Sequence, residues 1–375
     1  VATIPILALV IFLGVNIFLF QGDPHIPLVL ATAVTALVGW RLKCSWEMME
    51  NGLVKGIEIG LKPILILLVV GILIGTWIMS GIVPTIIYYG LQVFDPKQFL
   101  AATCLICAIV SLSTGSSWTT AGTIGVAMIG VGNALGVPSE MVAGAIVSGA
   151  YVGDKMSPLS DTTNLAPAVA GAELFEHIRY MTLTAVPAFL ISLVIYGIMG
   201  LMITGDEVQG DKIQLIQETL SAHFNLNPLL LLPPLLVVLM VVFRVPALPA
   251  LAAGAALGGV LAMLFQGSSP ESIIGVAHYG YEPVTQVEAV DELLKRGGLD
   301  SMMFTVSLIL CALSFGGLME ATGMLAAIAE SVLKMAHTTG RLIASTVLTC
   351  VGMNILAPDQ YLSIAVPGRM YKDAY

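Results

Sequence analysis

Three ionisable side chains, Asp154, Lys155 and Asp161, stand within eight residues in "GDKMSPLSDTTN" (153–164), with Ser157, Ser160, Thr162, Thr163 and Asn164 between or beside them. From Gln98 to Ala172 the only other charge is Glu140, in a chain of 375 residues that is 10% charged and 57% hydrophobic. Carboxylates set among hydroxyls and amides offer hard oxygen donors to a hard cation. Withdrawal from water raises a carboxyl's pKa, and a nearby cation lowers it. A carboxyl so placed is a site for which Na+ and H+ compete, each expelling the other. Asp154 and Asp161 are the candidates for that group, with Ser157, Thr162, Thr163 and Asn164 as further ligands. Lys155 either neutralises one acid or attracts an organic anion. Adjacent side chains on a helix diverge, so partners other than Lys155 are expected for Asp154. Capping explains some of these residues, such as Ser157 before Pro158 or Asp161 and Thr162 beyond it. It does not explain the acids, since Ser or Asn would cap as well, and an ionisable group at membrane depth points to function.

A second polar island precedes the first. In "SLSTGSSWTTAGT" (111–123), ten of thirteen residues are Gly, Ser or Thr, inside an apolar stretch of roughly forty residues, twice what one helix needs to cross. Two half-length helices meeting at a Ser/Thr/Gly tip fit this pattern. Such a re-entrant hairpin must be buried in protein or line water. Its hydroxyls, Ser113, Thr114, Ser116, Ser117, Thr119 and Thr120, are candidate ligands for Na+ or another cargo; close helix packing by small residues is the competing explanation.

The elements that must position these groups are membrane helices. Mean hydropathy is +0.94, and apolar runs recur at 4–20, 26–40, 63–79, 181–203, 228–243 and 245–265. The expected fold is an all-α polytopic membrane protein; a barrel would show short alternating segments. The first run has no signal-peptide cleavage site and reads as a retained span. A basic connector over 41–60 (Arg41, Lys43, Lys55) is expected on the cytoplasmic side, which puts 21–24 outside. The acids behind the net charge of −9 concentrate in polar stretches at 205–227 and 267–300, both expected as loops outside the membrane. Cys104 and Cys107 form C-x-x-C without neighbouring ligands and read as packing residues. His25, His223 and His278 fall in the expected loops, and His177 beside Arg179 at a helix end. No phosphate loop, Ser-His-Asp pattern or HExxH motif is present, so neither an enzyme nor a cofactor is expected. No basic patch with interleaved aromatics suggests nucleic acid.

Pro158 and Pro167 argue for a broken helix over 138–172, with a linker around 154–164. An internal repeat is also legible. "GTWIMSG" (75–81) recurs as "GLMEATG" (317–323), and "SSWTTAGTIG" (116–125) as "DQYLSIAVPG" (359–368), at offsets of 242 and 243. The charge count runs 61–82 outward and 302–321 inward, as inverted repeats of secondary transporters do. Glu320, Asn354, Asp359 and Gln360 are the second-repeat candidates. The expected organisation is N-terminal spans and connector (1–59) and a first repeat (60–205) with hairpin 98–137 and broken helix 138–172. A polar loop (206–227), two linking spans (228–266) and a second polar loop (267–300) follow. The start of a second repeat fills 301–375. The counterpart of 154–164 would fall near 397–407, beyond Tyr375, so the second repeat is expected to be incomplete here at its C-terminal end.

The stretches 113–138, 143–171 and 355–371, the middle one long and specific, make the chain resemble the NhaC family of sodium/proton antiporters. That family includes the sodium-lactate/malate-proton antiporters. The resemblance covers the chain from about Gly52 onward and implies inverted repeats, each with a hairpin and a broken helix. It also implies cargo bound between the hairpin tips, rocking or elevator motion against a scaffold, and a homodimer in the cell membrane. Na+ and H+ are then the transported ions. The runner-up is coupled exchange of a small organic anion, with Lys155 and Arg369 as its carboxylate partners. A passive channel is the third reading, and a membrane enzyme the last.

Overall fold

A computed structural model describes residues 1–202, 208–243, 245–333, 338–356 and 360–371. Every regular element among them is helical. In chain order these are α1 (Ile4–Val15), α2 (His25–Arg41), α3 (Trp46–Met79), α4 (Ile82–Val93), α5 (Pro96–Thr114), α6 (Ser117–Thr120), α7 (Val126–Ala134) and α8 (Ser139–Met156). Then come α9 (Asp161–Ala170), α10 (Leu174–Met202), α11 (Val208–His223), α12 (Leu232–Val242), α13 (Ala247–Gln266), α14 (Pro270–Tyr279) and α15 (Glu288–Leu294). The chain closes with α16 (Met303–Ala321), α17 (Met324–Leu333), α18 (Thr339–Leu356) and α19 (Gln360–Tyr371).

Five of these helical stretches are long and apolar enough to cross a membrane: Gly60–Met79, Pro96–Thr114, Leu174–Met202, Ala247–Gln266 and Asp300–Ala321. A sixth candidate is the pair Ile213–His223 and Pro228–Val242, bent by 107°. Helix α10 carries Leu190 and Ile191 at 56% and 60% exposure, which lipid tolerates and water would not. The chain is a polytopic helical membrane protein.

Residues fall into two compact units. The larger comprises Leu65–Asn164 and Leu174–Met303. Its core gathers Leu73, Trp77, Ile82, Ile87, Phe99, Val142, Ile216 and Leu220. Trp77 is fully buried and its indole Nε1–H donates to the Gly254 carbonyl at 3.0 Å, as a buried indole requires. The smaller unit, Val1–Ile64, Leu165–Glu173 and Phe304–Tyr375, has its own core around Leu9, Leu28, Ala31, Phe315 and Met319. There α16 runs antiparallel to the first half of α3: Gly52 meets Ala321, Gly56 lies against Gly317, and Gly60 meets Leu313. A Cβ at Gly56 would stand 2.8 Å from the Gly317 Cα, so only glycine permits this crossing.

The internal repeat is visible in the order of elements. Helix α3 ends at Met79, Gly81 turns at φ +82, and α4 starts at Ile82; α16 ends at Ala321, Gly323 turns at φ +71, and α17 starts at Met324. Likewise α5 ends at Thr114 and α6 starts at Ser117, while α18 ends at Leu356 and α19 starts at Gln360. Each boundary returns at the spacing of the sequence matches.

Three expectations are corrected. The connector at 41–60 is mostly helix, because Trp46–Met79 is one 34-residue helix that accommodates Pro63. Pro167 likewise sits inside α9 without ending it; the break is made by Pro158 alone. The polar stretches at 206–227 and 267–300 contain α11, α14 and α15 rather than loops throughout, and Ile216, Leu220, Val290 and Leu294 bury an apolar face there. His25, His223 and His278 accordingly lie at or near helix ends.

In the segment between α14 and α16, the Asp291 carboxylate accepts the Thr285 hydroxyl at 2.6 Å and the Thr285 N–H at 3.0 Å. These bonds, the hydroxyl first, hold its pKa below the usual carboxylate range. A depressed folded-state pKa contributes stability above the unfolded-state value, and this is lost as pH falls through the folded one. Thr285→Val should therefore lower the melting temperature slightly at pH 7. The gap to wild type should close when melting curves are taken below the ordinary aspartate pKa, and a gap independent of pH would refute this linkage.

Candidate functional site

The hairpin forms as its sequence dictates. Asp95 caps α5, accepting the Lys97 N–H at 2.8 Å, with Pro96 in the first turn. Gly115 ends α5 at φ +66, and the Ser116 hydroxyl then caps α6 by accepting the Thr119 N–H at 3.2 Å. From α6 the chain continues through a π-turn (Ala121–Gly125) into α7. Phe99 near the start of α5 packs on Gly132 near the end of α7, so the chain returns to the level it left. The arms are longer than the half-spans expected: α5 alone has 19 residues.

Helix α8 then runs alongside α5 in the same direction. Gly149 lies on the Cys104 carbonyl and Gly153 on Ala108 and Leu112, with a Cβ at Gly153 reaching 2.6 Å from the Leu112 nitrogen. The Ser111 hydroxyl donates to the Ala150 carbonyl at 2.6 Å. This contact brings the end of α8 level with the hairpin tip. The chain breaks over 157–160, narrower than expected, and resumes as α9.

At that junction the two polar islands meet. The Ser117 hydroxyl donates to Asp154 Oδ2 at 2.8 Å, across 37 residues of sequence. Asp154 is 5% exposed and Ser117 4%. The Thr163 hydroxyl reaches back to the Asp154 and Lys155 carbonyls, at 3.2 and 2.9 Å, satisfying groups that the end of α8 leaves open. Asn164 Nδ2 donates to the Pro158 and Ser160 carbonyls at 2.9 and 2.6 Å. Ser160 and Thr162 hydroxyls share a bond of 3.0 Å, and the Ser157 hydroxyl accepts the Leu159 N–H at 3.3 Å. Gly115 itself lies on the break: a Cβ there would stand 2.7 Å from the Leu159 carbonyl carbon and 2.9 Å from the Ser160 nitrogen.

The sequence candidates thus separate. Asp154, Ser117, Ser157, Thr162 and Thr163 are all buried at the junction, with Thr114, Ser116, Thr119 and Thr120 on the tip side. Thr114, Thr119 and Thr120 hydroxyls bond within the tip. Ser113 is exposed and bonds back to the Ile109 carbonyl; Lys155 and Asn164 are exposed. Asp161 opens α9, and its side chain lies outside the described residues, as does all of Asp359. In the smaller unit, Asn354 Oδ1 accepts the Ser363 hydroxyl at 2.8 Å and Gln360 opens α19. Glu320 lines an open cavity of about 970 Å3 with Glu47, Lys55 and Glu58. Sequence reasoning missed Ser111, Gly149 and Gly153, which set the register between α5 and α8. The G-x3-G spacing was the signal for the two glycines, and Ser111 opens the hydroxyl-rich stretch 111–123.

Thr163→Val should strand the Lys155 carbonyl at the break, since the Asp154 carbonyl keeps the Ser157 N–H, and cost about 1–3 kcal/mol, while Thr163→Ser should retain most of the stability. Thermal unfolding in detergent compares the two; equal losses would assign the effect to packing instead.

The Na+/H+ antiporter family model matches residues 149–375, which include the break and the second repeat. The chain belongs to the Na+/H+ antiporter family. It is 42% identical over 361 residues to the Na+/H+ antiporter NhaC of Alkalihalophilus pseudofirmus, covering 96% of this chain and 78% of that protein. It is 38% identical to the malate-2H+/Na+-lactate antiporter of Bacillus subtilis (98% and 80% covered). It is 37% identical to the arginine/ornithine antiporter ArcD of Halobacterium salinarum (99% and 77% covered). With its membrane-spanning helices, this family member is a multi-pass protein of the cell membrane.

Proposed function

We propose that the chain exchanges Na+ for H+, with Asp154 as the carboxyl for which the two ions compete. The observation that carries this reading is the 2.8 Å bond from Ser117 to Asp154, which joins hairpin tip and broken helix at one buried acid. Burial favours the protonated carboxyl, and a Na+ among the hydroxyl and carbonyl oxygens of the junction favours the ionised one. Loading Na+ from one side therefore releases a proton, and exchange needs only alternating exposure of the site. The end of α8 contributes too, because its C-terminal carbonyls favour a cation. Asp161, Thr162 and Asn164 complete the ligand set in this reading, and Glu320, Asn354, Asp359 and Gln360 remain the candidate residues of the second repeat. The antiparallel run of α16 against α3 supports inverted repeats. No catalytic step and no cofactor enters this mechanism. The lipid bilayer is its medium, a homodimer its proposed assembly, and nucleic acid has no role.

A second reading is favoured by two relatives whose names include organic cargo. In it an organic anion travels with the ions, with Lys155, exposed beside Asp154, as a candidate partner of its carboxylate and Arg369 as another candidate. Proteoliposomes decide between them. An imposed Na+ gradient should move protons in the absence of any organic acid, with saturable flux. Proton movement only when lactate, malate, arginine or ornithine is added would replace simple exchange by the second reading. Uncoupled, non-saturating flux would overturn both.

A further inference from the structure

The second arm of the hairpin is one continuous helix from Ser117 to Ala134, because the π-turn at Ala121–Gly125 joins α6 to α7 without a break. Three of its residues touch α8. A Cβ at Gly132 would meet Val142 at 2.6 Å, one at Gly125 would meet Ile146 at 2.8 Å, and Ser117 donates to Asp154 at 2.8 Å. Gly125 and Gly132 are seven residues apart, which at 3.6 residues per turn returns a side chain to within about 20° of its face. Ser117 and Gly125 are eight apart. In a regular α-helix that spacing would turn Ser117 about 80° aside and set Trp118 towards α8 instead. The π-turn removes the mismatch. The Val126 N–H bonds to the Ala121 carbonyl, five residues back instead of four, so one turn holds an extra residue and the helix before it regains the α8 face. Gly122 lets the widened turn pass Val70, which stands 2.7 Å from where a Cβ would lie. Thr123 supports the turn from inside. Its side chain is fully buried, and its hydroxyl donates to the Thr119 carbonyl at 2.7 Å. This bond falls between the four-residue bond of Ala121 to Ser117 and the five-residue bond of Val126 to Ala121. Packing of α8 on α5 thus sets the level at which the islands meet, and the π-turn sets the direction in which Ser117 points.

We propose that the π-turn is the device that aims Ser117 at Asp154, with Thr123 as the positioning residue that holds it open. The effect on Na+ rests on Asp154 being the exchange carboxyl; the aim of Ser117 does not.

Two measurements test this. The first reads geometry alone, by bridging cysteine pairs in membranes with a short bifunctional thiol reagent and identifying the linked peptides by mass spectrometry. The pair Ser117→Cys/Asp154→Cys should bridge, and Trp118→Cys/Asp154→Cys should not. Adding Thr123→Val should reverse that preference, whereas Thr123→Ser, which keeps the hydroxyl, should not. Deleting Ala121 leaves seven residues between Ser117 and Gly125, so a regular α-helix now keeps the aim and the first pair should still bridge. Thr123→Val should then have no further effect, since no widened turn remains to be held. The second measurement is Na+-driven proton movement in proteoliposomes. Thr123→Val should raise the Na+ KM about tenfold, the scale of a hydrogen bond to a charged group, with a smaller change in maximal flux. Thr123→Ser and the Ala121 deletion should stay within about threefold of wild type. Equal bridging of the first pair in wild type and Thr123→Val would overturn the proposal. So would a Thr123→Val defect that persists in the deletion, or loss of the first pair in a deletion whose melting curve shows it folded. Reversed bridging with an unchanged Na+ KM would uphold the aim of Ser117 and overturn the exchange role of Asp154.

Discussion

Asp154→Asn should abolish Na+-driven proton movement in proteoliposomes while leaving the protein folded. The amide can still accept the Ser117 hydroxyl through its Oδ1, so the 2.8 Å link between tip and break survives the change. What disappears is the titratable charge. A neutral amide neither releases a proton when Na+ arrives nor offers Na+ a charged ligand. Losing about 3 kcal/mol of ion–carboxylate attraction alone weakens binding roughly a hundredfold. Loss of the proton partner removes coupling altogether. The measurement is proton flux against pH under a fixed Na+ gradient, beside a melting curve of the same preparation. Flux with a wild-type pH profile in Asp154→Asn would sink the shared-carboxylate mechanism, and Asp161→Asn, run in parallel, asks whether the second acid titrates instead.

The second large effect is expected at Gly115. Its φ of +66 is the left-handed region, where any other residue pays roughly 1–2 kcal/mol. Here a Cβ would in addition press on the Leu159–Ser160 backbone at 2.7–2.9 Å, and backbone cannot swing aside as a flexible side chain can. Overpacking of this kind costs about 1–3 kcal/mol more. Gly267 separates the two contributions, since its φ is +65 with nothing within 4 Å of an added Cβ. Gly115→Ala should lower the melting temperature more than Gly267→Ala and should reduce transport, because the tip can no longer seat on the break and bring Ser117 to Asp154. Equal destabilisation by the two variants, with transport intact, would show that the seating of the tip is dispensable.

Much of this was legible before any coordinates. Scarce charge and long apolar runs required a bilayer, because nothing else lets so much apolar surface stay exposed. Pro158 among acids and hydroxyls marked a break, since proline ends the hydrogen-bond ladder wherever the chain lies. The matches of 75–81 with 317–323 and of 116–125 with 359–368 marked the repeat, because both recur at nearly one offset and in the same order. These are local rules, and sequence alone states them.

What sequence could not state was which hydroxyl touches which acid. Six Ser and Thr residues at the tip looked equivalent. Only the close run of α8 on α5, made possible by Gly149 and Gly153, puts Ser117 against Asp154, leaves Ser113 exposed, and lets Gly115 rest on Ser160. The same holds for the acidic stretch around α11, which reads as polar loop until tertiary packing reveals that Ile216 and Leu220 have a core to enter. Periodicity and proline act over a few residues, whereas a buried polar contact depends on helix register between segments far apart in the chain. Composition determined the solvent and the elements of this protein, and helix packing decided the partner of its central acid.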